Sequence, residues 1–159
     1  MAQEAYTVEI LSTENGEVTS DKASASEGET VTLTLTPAHF YTLEELAVES
    51  ELIGGGVSDD DAWGPALTPA YIMVPTTEVS ENIYTFVMPA SKVKVMAIFA
   101  PILTGDVDGD GEVSIADVTA LIDRLLLELP YIERADVDRD GEVSISDVTT
   151  LIDKLLTGN

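Results

Sequence analysis

A close internal repeat in the last third of the chain constrains the fold more than any other feature. Residues 106–126 read DVDGDGEVSIADVTALIDRLL, and residues 136–156 read DVDRDGEVSISDVTTLIDKLL. The two copies differ at four of 21 positions and are offset by 30 residues. Repetition this close indicates one supersecondary unit that the chain uses twice.

Each copy opens with a 12-residue segment in which oxygen-bearing residues recur at nearly alternate positions. Calcium takes about six to eight oxygen ligands, and a loop of this length supplies them from positions 1, 3, 5, 7, 9 and 12. Gly111 and Gly141 stand at position 6, where the chain must turn sharply with positive φ. The predicted ligands are Asp106, Asp108, Asp110, Glu112 (through its carbonyl), Ser114 and Asp117 in the first loop, and Asp136, Asp138, Asp140, Glu142 (through its carbonyl), Ser144 and Asp147 in the second.

The clustered carboxylates of each loop require a compensating charge. Carboxylates held this close repel one another strongly unless a cation lies between them. A solvated acidic run is the alternative, but it would not place glycine at position 6 in both copies. Magnesium fits less well, because it prefers fewer protein ligands in rigid octahedral geometry. The sequence therefore predicts two EF-hand-type loops, residues 106–117 and 136–147, that hold two Ca²⁺ ions.

One amphipathic helix is predicted after each loop. Apolar residues recur at the helical spacing i, i+3, i+4, i+7 and i+8. They are Val118, Leu121, Ile122, Leu125 and Leu126 in the first copy, and Val148, Leu151, Ile152, Leu155 and Leu156 in the second. No comparable pattern precedes either loop, since residues 101–105 and 130–135 are short and begin with proline. Each copy is therefore half of an ordinary EF-hand, which has an entering helix as well.

This combination closely resembles the dockerin family over about residues 103–157. The resemblance lies in the two loop-plus-helix repeats, in Asp117 and Asp147 at position 12, in the short linker and in the C-terminal location. It implies a non-catalytic module that docks onto a cohesin, which is a β-sandwich partner on a scaffold or surface protein.

The same resemblance points to the residues that would meet the partner. In type I dockerins, polar residues just before position 12 and a basic pair at positions 17–18 carry much of the recognition. The corresponding residues here are Ile115, Ala116, Ile122, Asp123, Ile145, Ser146, Ile152 and Asp153. A largely apolar surface thus replaces the polar one, which favours a contact that diverges from type I or is similar to type II. Packing in the module's core is the alternative for Ile122 and Ile152, and packing against the chain's own β module is the alternative to a cohesin.

Residues 1–100 read as β structure. Predicted strands are Tyr6–Ser12, Glu17–Ser20, Val31–Thr36, Ile83–Met88 and Val93–Phe99, because apolar and polar residues alternate there. Asn15-Gly16 predicts a tight turn. Tyr41–Ser50 suits either a strand or a short helix. Residues 51–80 predict a long loop or insertion with one further strand at Ala70–Val74.

The N-terminal strand order resembles the divergent B-repeat module related to the internalins, which is common on bacterial surface proteins. The resemblance rests on GEVTS, EGETVTLTLTP and YTFVMPASKVKVMAIF, and it covers about residues 6–100 with residues 51–80 as an insertion. It implies a small β sheet, for which a β-grasp-like arrangement is one option, and no catalytic residues. In the insertion, Asp59-Asp60-Asp61 is a weak candidate for a third cation site, and Trp63 is a candidate for packing beneath the loop.

Charge and composition exclude several partner classes. The formal net charge is −23, and only seven residues are Lys or Arg. Nucleic acid and anionic membranes need clustered basic residues, so neither is an expected partner. No cysteine is present, and no run of about 18 apolar residues could span a membrane. The N-terminus lacks the pattern of a signal peptide, so the chain is either cytosolic or a mature or excised piece of a secreted precursor.

The sequence thus predicts two modules, mostly β and then α. They are a β-rich spacer or surface module at residues 1–100, a linker at 101–105, and a dockerin-like calcium module at 106–159. The expected function is calcium-dependent protein–protein docking on a bacterial cell surface or in a secreted complex, with no enzymatic activity. The alternative is a calcium-stabilised structural C-terminus without an external cohesin.

Overall fold

A computed structural model of the chain describes residues 3–51 and 71–158. The chain folds into two compact units. The first consists of Met1–Ala38 and Leu43–Ala100, and the second consists of His39–Thr42 and Pro101–Asn159. The predicted features at Gly54–Gly56, Asp59–Asp61 and Trp63 lie outside the described residues.

The N-terminal part of the chain is built from two β sheets. Its strands are β1 (Ala5–Ile10), β2 (Gly16–Ser20), β3 (Ser24–Ser26), β4 (Thr30–Pro37), β5 (Tyr41–Glu51), β6 (Tyr71–Met73), β7 (Thr77–Ser80), β8 (Ile83–Val87) and β9 (Val93–Pro101). One sheet has the order β3-β1-β9-β5-β6, and the other has the order β2-β4-β8-β7. Strands β1 and β9 pair in parallel, with Val8 opposite Val93, whereas β4 pairs antiparallel with both β2 and β8.

Strict alternation of side chains builds the core of this unit. Val31, Leu33 and Leu35 of β4 are buried, while the threonines between them are turned towards the other face. Strand β9 repeats the arrangement, with Val93, Val95, Ala97 and Phe99 buried. This period of two is the one that the sequence showed, because successive side chains of a strand point to opposite faces.

The turn between β1 and β2 brings the two sheets close together at Gly16. Asn15 adopts a left-handed conformation with φ of 61°, as a tight turn at Asn15-Gly16 requires. A Cβ atom at Gly16 would lie 2.5 Å from Cε2 of the buried Phe99 ring on β9. Glycine is therefore needed here for close packing, because any side chain would collide with that ring.

Several local predictions for this unit need correction or completion. Tyr41–Glu51 is a strand and not a short helix. The short strand Ser24–Ser26 was not predicted, and Thr77–Ser80 is a strand within the segment that was expected to be a long loop. The mostly β character of this part of the chain is confirmed, and it takes the form of two sheets. Residues 3–51 and 71–100 contain no helix that could complete a β-grasp-like arrangement. Short strands carry too few residues for their alternation to stand out from a loop.

The C-terminal unit contains two α-helices, α1 (Ile115–Leu126) and α2 (Ile145–Thr157). They follow the two acidic loops, as the apolar spacing predicted. Their buried residues form one cluster, with Leu121 and Leu151 fully enclosed. The other buried members are Val107, Val118, Ala135 and Val148.

The half-motif interpretation agrees with the described part of this unit. Within residues 101–158, the only helical turn that precedes a loop is the three-residue 3₁₀ helix Glu133–Ala135.

No helix among the described residues is long and apolar enough to cross a membrane.

We expect Gly16→Ala to destabilise the β unit by about 1–3 kcal/mol, because the Phe99 ring or the backbone must move. Urea unfolding of the full chain, followed through the methyl NMR signals of Val31 and Leu33, measures this change. Glu17→Ala on the exposed face of the same strand is the control, with an expected effect under about 0.5 kcal/mol. Equal effects of the two substitutions would contradict the packing role of Gly16.

Candidate metal centres

The structure gathers aspartates from the start and the end of each loop. The carboxylate oxygens of Asp106, Asp108 and Asp117 lie within 4.8 Å of one another. Those of Asp136, Asp138 and Asp147 form an equivalent group under the same distance limit. Each group combines positions 1, 3 and 12 of its loop, which are three of the four positions where the spacing predicted a carboxylate ligand.

The aspartate at position 12 connects the two ends of each loop. Asp117 and Asp147 are both fully buried. One oxygen of Asp117 accepts hydrogen bonds from the backbone N–H groups of Val107 (2.7 Å) and Asp108 (3.2 Å), and the other accepts one from Ser114 (2.7 Å). Asp147 accepts the corresponding three bonds at 2.7, 3.2 and 2.7 Å. The short aspartate side chain therefore ties the end of the loop back to its beginning.

The aspartate at position 1 is held by the turn that follows it. Oδ2 of Asp106 accepts a hydrogen bond from the N–H of Gly111 at 3.1 Å, and Oδ2 of Asp136 accepts one from Gly141 at 3.0 Å. Both glycines have φ of 94°, in the left-handed region that favours glycine. The backbone geometry thus favours glycine at position 6, and the N–H of that glycine donates to the aspartate at position 1.

The serine at position 9 begins the helix in each repeat. Ser114 is the N-cap of α1, and its hydroxyl oxygen accepts a hydrogen bond from Ala116 N–H at 3.1 Å. Ser144 caps α2 in the same way at 3.1 Å. Because Asp117 and Asp147 stand at the third helical position, serine and aspartate complete a capping box. Loop closure and helix initiation therefore depend on the same residues.

The remaining predicted ligands lie at the outer side of each loop. Asp110 and Asp140 do not belong to the groups of converging carboxylates, and each accepts a hydrogen bond from the N–H of Glu112 or Glu142 at 2.9 Å. The side chains of Glu112 and Glu142 are exposed, consistent with the expectation that only their backbone carbonyls would be ligands.

The charge balance of the two groups favours a bound cation. No salt bridge in the described residues involves a loop aspartate; those present pair Lys22 with Glu29, His39 with Glu133 and Lys92 with Glu51. Backbone N–H groups satisfy the buried oxygens but supply no full positive charge. Burying several carboxylates without a compensating charge is unfavourable. Oxygen-only donors that converge in a small, partly enclosed space therefore fit a hard divalent cation.

Two side chains contact the second group and have no counterpart in the first. The Tyr131 hydroxyl donates a hydrogen bond to Oδ2 of Asp136 at 3.0 Å, and Ser146 Oγ donates one to Oδ2 of Asp138 at 2.6 Å. Partial burial, and then the hydrogen bond to Asp136, raise the pKa of Tyr131 to about 12. The hydroxyl therefore remains a proton donor at neutral pH. Sequence reasoning missed Tyr131, because it lies five residues before the loop and outside the repeated segment.

Contacts from Thr104 also went unnoticed in the sequence. Its carbonyl accepts a hydrogen bond from Lys154 Nζ at 2.9 Å, and its hydroxyl accepts one from the Arg139 guanidinium at 3.4 Å. The neighbouring Gly105 N–H donates to the Arg134 carbonyl at 2.8 Å. The entry to the first loop is thus bonded to the second repeat, which a pattern within one repeat cannot reveal.

The residues predicted to meet a partner form matching exposed rows on the two helices. Ile115 and Ile145 are 73% and 69% exposed, and Ile122 and Ile152 are 39% and 37% exposed. Core packing of Ile122 and Ile152 is wrong, since neither belongs to the buried cluster. Ala116, Asp123, Ser146 and Asp153 are exposed as well. Leu126 and Leu156, which were expected on the buried stripe, are 76% and 79% exposed.

Comparisons with known families match one segment in each part of the chain. Residues 104–156 match the model of the dockerin type I domain, and residues 6–61 match that of the divergent InlB B-repeat domain. No curated protein and no solved structure matches the chain significantly. A segment similar to the dockerin type I domain is thus preceded in the chain by a segment similar to the B-repeat domain.

The extents of the two matches differ from the sequence resemblance in one respect. The dockerin match agrees closely with the expected residues 103–157. The B-repeat match ends at residue 61 and does not include residues 84–99, on which the resemblance also rested. Dockerin domains bind calcium and generally bind cohesins, and neither family is catalytic.

We expect Asp117→Asn to abolish metal binding at the first loop and leave the second loop occupied. The amide lacks the negative charge and directs a donor towards backbone N–H groups or the metal. Calorimetric calcium titration of the full chain should show the loss of one of the two sites. Asp123→Asn, an exposed position on the same helix, is the control and should keep both. Full binding by Asp117→Asn would contradict the role given to this carboxylate.

Proposed function

We propose that this chain is a non-catalytic, calcium-dependent docking protein of a secreted or cell-surface bacterial assembly, with a cohesin-like partner. The observation that carries the proposal is the pair of aspartate groups, each with two buried members and no salt bridge among the described residues, and each followed by a helix with an exposed apolar row. Both lie within the dockerin match. The N-terminal β unit serves as a spacer or adhesion module, and both families are typical of extracellular or cell-surface proteins.

Each loop holds one Ca²⁺ in this proposal. The ligands are the carboxylates at positions 1, 3, 5 and 12, the carbonyls of Glu112 and Glu142, and Ser114 and Ser144 at position 9. Calcium supplies the charge that lets the aspartates converge. Extracellular calcium would fill even weak sites of this kind, because modules there bind with Kd of about 10⁻⁴–10⁻³ M.

The proposed function also couples calcium binding to the folding of residues 103–157. Two short helices enclose a cluster of only six buried residues, and a core of this size stabilises a domain weakly. The loops also contain most of the unit's negative charge. Removing the metal therefore restores carboxylate repulsion at the point where each helix begins.

We expect chelation to unfold residues 103–157 and leave the β unit folded, because the β unit has its own core. Differential scanning calorimetry of the full chain with calcium and with EDTA measures the two transitions. One transition should shift or disappear in EDTA, and the other should keep its Tm. An unchanged thermogram would contradict the coupling.

The docking surface is a narrow apolar row on each helix. Residues Ile115, Ile122 and Leu126 are spaced i, i+7 and i+11, which places them within about 40° of one another around a helix. Ile145, Ile152 and Leu156 repeat the row with nearly the same exposure. Exposed apolar rows on a soluble protein mark interaction sites. Asp123 and Asp153 beside the rows favour a partner with apolar residues at its centre and basic residues at its rim.

The near identity of the two rows allows either helix to bind the same partner after a half-turn. Substituting Ile115 and Ile122 to serine removes one row and should change the affinity for a type I cohesin by about twofold to threefold, because the other row remains. Adding Ile145→Ser and Ile152→Ser should weaken binding by about 100-fold or more. Surface plasmon resonance in calcium measures both affinities.

Three outcomes separate the possibilities. Complete loss of binding in the two-residue variant would exclude equivalent use of the two helices. Binding that persists in the four-residue variant would place the contact elsewhere. A calcium-loaded chain that binds no cohesin at all would instead support the structural C-terminus without an external partner.

A further inference from the structure

The two calcium loops have the same predicted ligands but different surroundings. Oδ2 of Asp136 accepts hydrogen bonds from Gly141 N–H at 3.0 Å and from the Tyr131 hydroxyl at 3.0 Å. Oδ2 of Asp106 accepts a bond from Gly111 N–H at 3.1 Å and has no side-chain donor among the described residues. Because the repeats are offset by 30 residues, the counterpart of Tyr131 before the first loop is Pro101, whose side chain has no hydrogen-bond donor.

A second difference lies at position 3 of the loops. Ser146 Oγ donates a hydrogen bond to Oδ2 of Asp138 at 2.6 Å. Its counterpart in the first loop is Ala116, so Asp108 lacks this bond. Position 11 is one of only four positions at which the repeats differ. Both additional donors therefore act on the second loop, and each contacts a different aspartate.

We propose that Tyr131 and Ser146 are positioning residues that make the loop at residues 136–147 bind calcium more tightly than the loop at 106–117, so that the second loop fills first. The inference rests on the calcium binding proposed above and deepens it.

Hydrogen bonds to the ligands supply the physical reason. A side-chain donor on Oδ2 of an aspartate helps to hold that carboxylate in the orientation it has in the folded loop, where Oδ1 accepts the Asp140 N–H at 3.1 Å in Asp136 and at 3.2 Å in Asp138. It also offsets part of the repulsion among the carboxylates that folding of the loop brings together. Bonds of this kind to a charged acceptor are stronger than neutral ones, and losing such an outer contact typically costs about 10- to 100-fold in metal affinity.

Unequal affinities would give the two docking faces a fixed order of assembly. The second loop ends in the capping box of α2, and the exposed row of Ile145, Ile152 and Leu156 lies on that helix. At limiting calcium the chain would therefore complete this face before that of α1. The two nearly identical binding modes would then be populated unequally until calcium saturates both loops.

The order of filling can be measured at single-residue resolution. The amide groups of Gly111 and Gly141 each donate to the position-1 aspartate of their own loop, so their ¹⁵N–¹H NMR signals report the two loops separately. In a calcium titration of the full chain, we expect Gly141 to reach its midpoint at a calcium concentration at least about tenfold lower than Gly111.

Three variants test the cause of that difference. Tyr131→Phe combined with Ser146→Ala should bring the Gly141 midpoint close to that of Gly111. Ala116→Ser should lower the Gly111 midpoint by supplying the missing donor to Asp108. Tyr6→Phe is the matched control, since it removes a tyrosine hydroxyl that donates to the exposed Glu4 carboxylate in the other unit, and neither midpoint should move.

Several results would overturn the inference. Simultaneous titration of the two glycines in the unaltered chain, or earlier titration of Gly111, would contradict the order. If the ratio of the Gly111 and Gly141 midpoints were unchanged in both the double variant and Ala116→Ser, Tyr131 and Ser146 would not be the cause of the order. The lower Gly111 midpoint expected for Ala116→Ser can be measured even if the double variant does not fold. No shift of either glycine with calcium would overturn the proposed calcium binding together with this inference.

Discussion

The C-terminal unit depends on one interaction, the closure of each acidic loop by a buried aspartate. Asp117 and Asp147 accept backbone hydrogen bonds from the beginning of their loops and stand at the third position of the following helices. The same carboxylate thus shapes the metal group, completes the helix cap and sets the direction in which the helix leaves. Buried charge of this kind favours a bound cation, and the proposed function makes metal binding, helix formation and exposure of the apolar rows parts of one event.

This arrangement differs physically from that of a calcium sensor. A sensor EF-hand has helices on both sides of the loop, and calcium changes the angle between them to open a groove. Within residues 101–158 only the exiting helices are α-helical, and one three-residue 3₁₀ turn precedes the second loop. Calcium in this chain would therefore assemble a surface that is absent without it. The N-terminal β unit has its own core and no metal group among its described residues.

The sequence predicted the features that arise within a repeat and missed those that arise between distant segments. The position-1, -3 and -12 aspartates, the glycine at position 6 and the two helices all follow from local spacing. The contacts of Tyr131 and Thr104, and the close approach of Gly16 to Phe99, are tertiary contacts that no local pattern encodes.

Leu126 and Leu156 fit the apolar spacing yet are exposed, because helical periodicity shows that a residue is apolar and cannot show which face is covered. The short strands Ser24–Ser26 and Thr77–Ser80 escaped because pairing partners define them more than composition does.

Calcium stoichiometry and helix content, measured in one titration, show whether metal binding and helix formation are coupled. In a titration of the full chain from the metal-free state, we expect two bound Ca²⁺ ions per chain, one for each aspartate group, and a gain of helical circular dichroism that is complete when both are bound. The Asp117→Asn and Asp147→Asn double variant should show neither the binding nor the gain. Full helix content without calcium would contradict the coupling of calcium binding to helix formation. Calcium binding by the double variant would contradict the role given to Asp117 and Asp147.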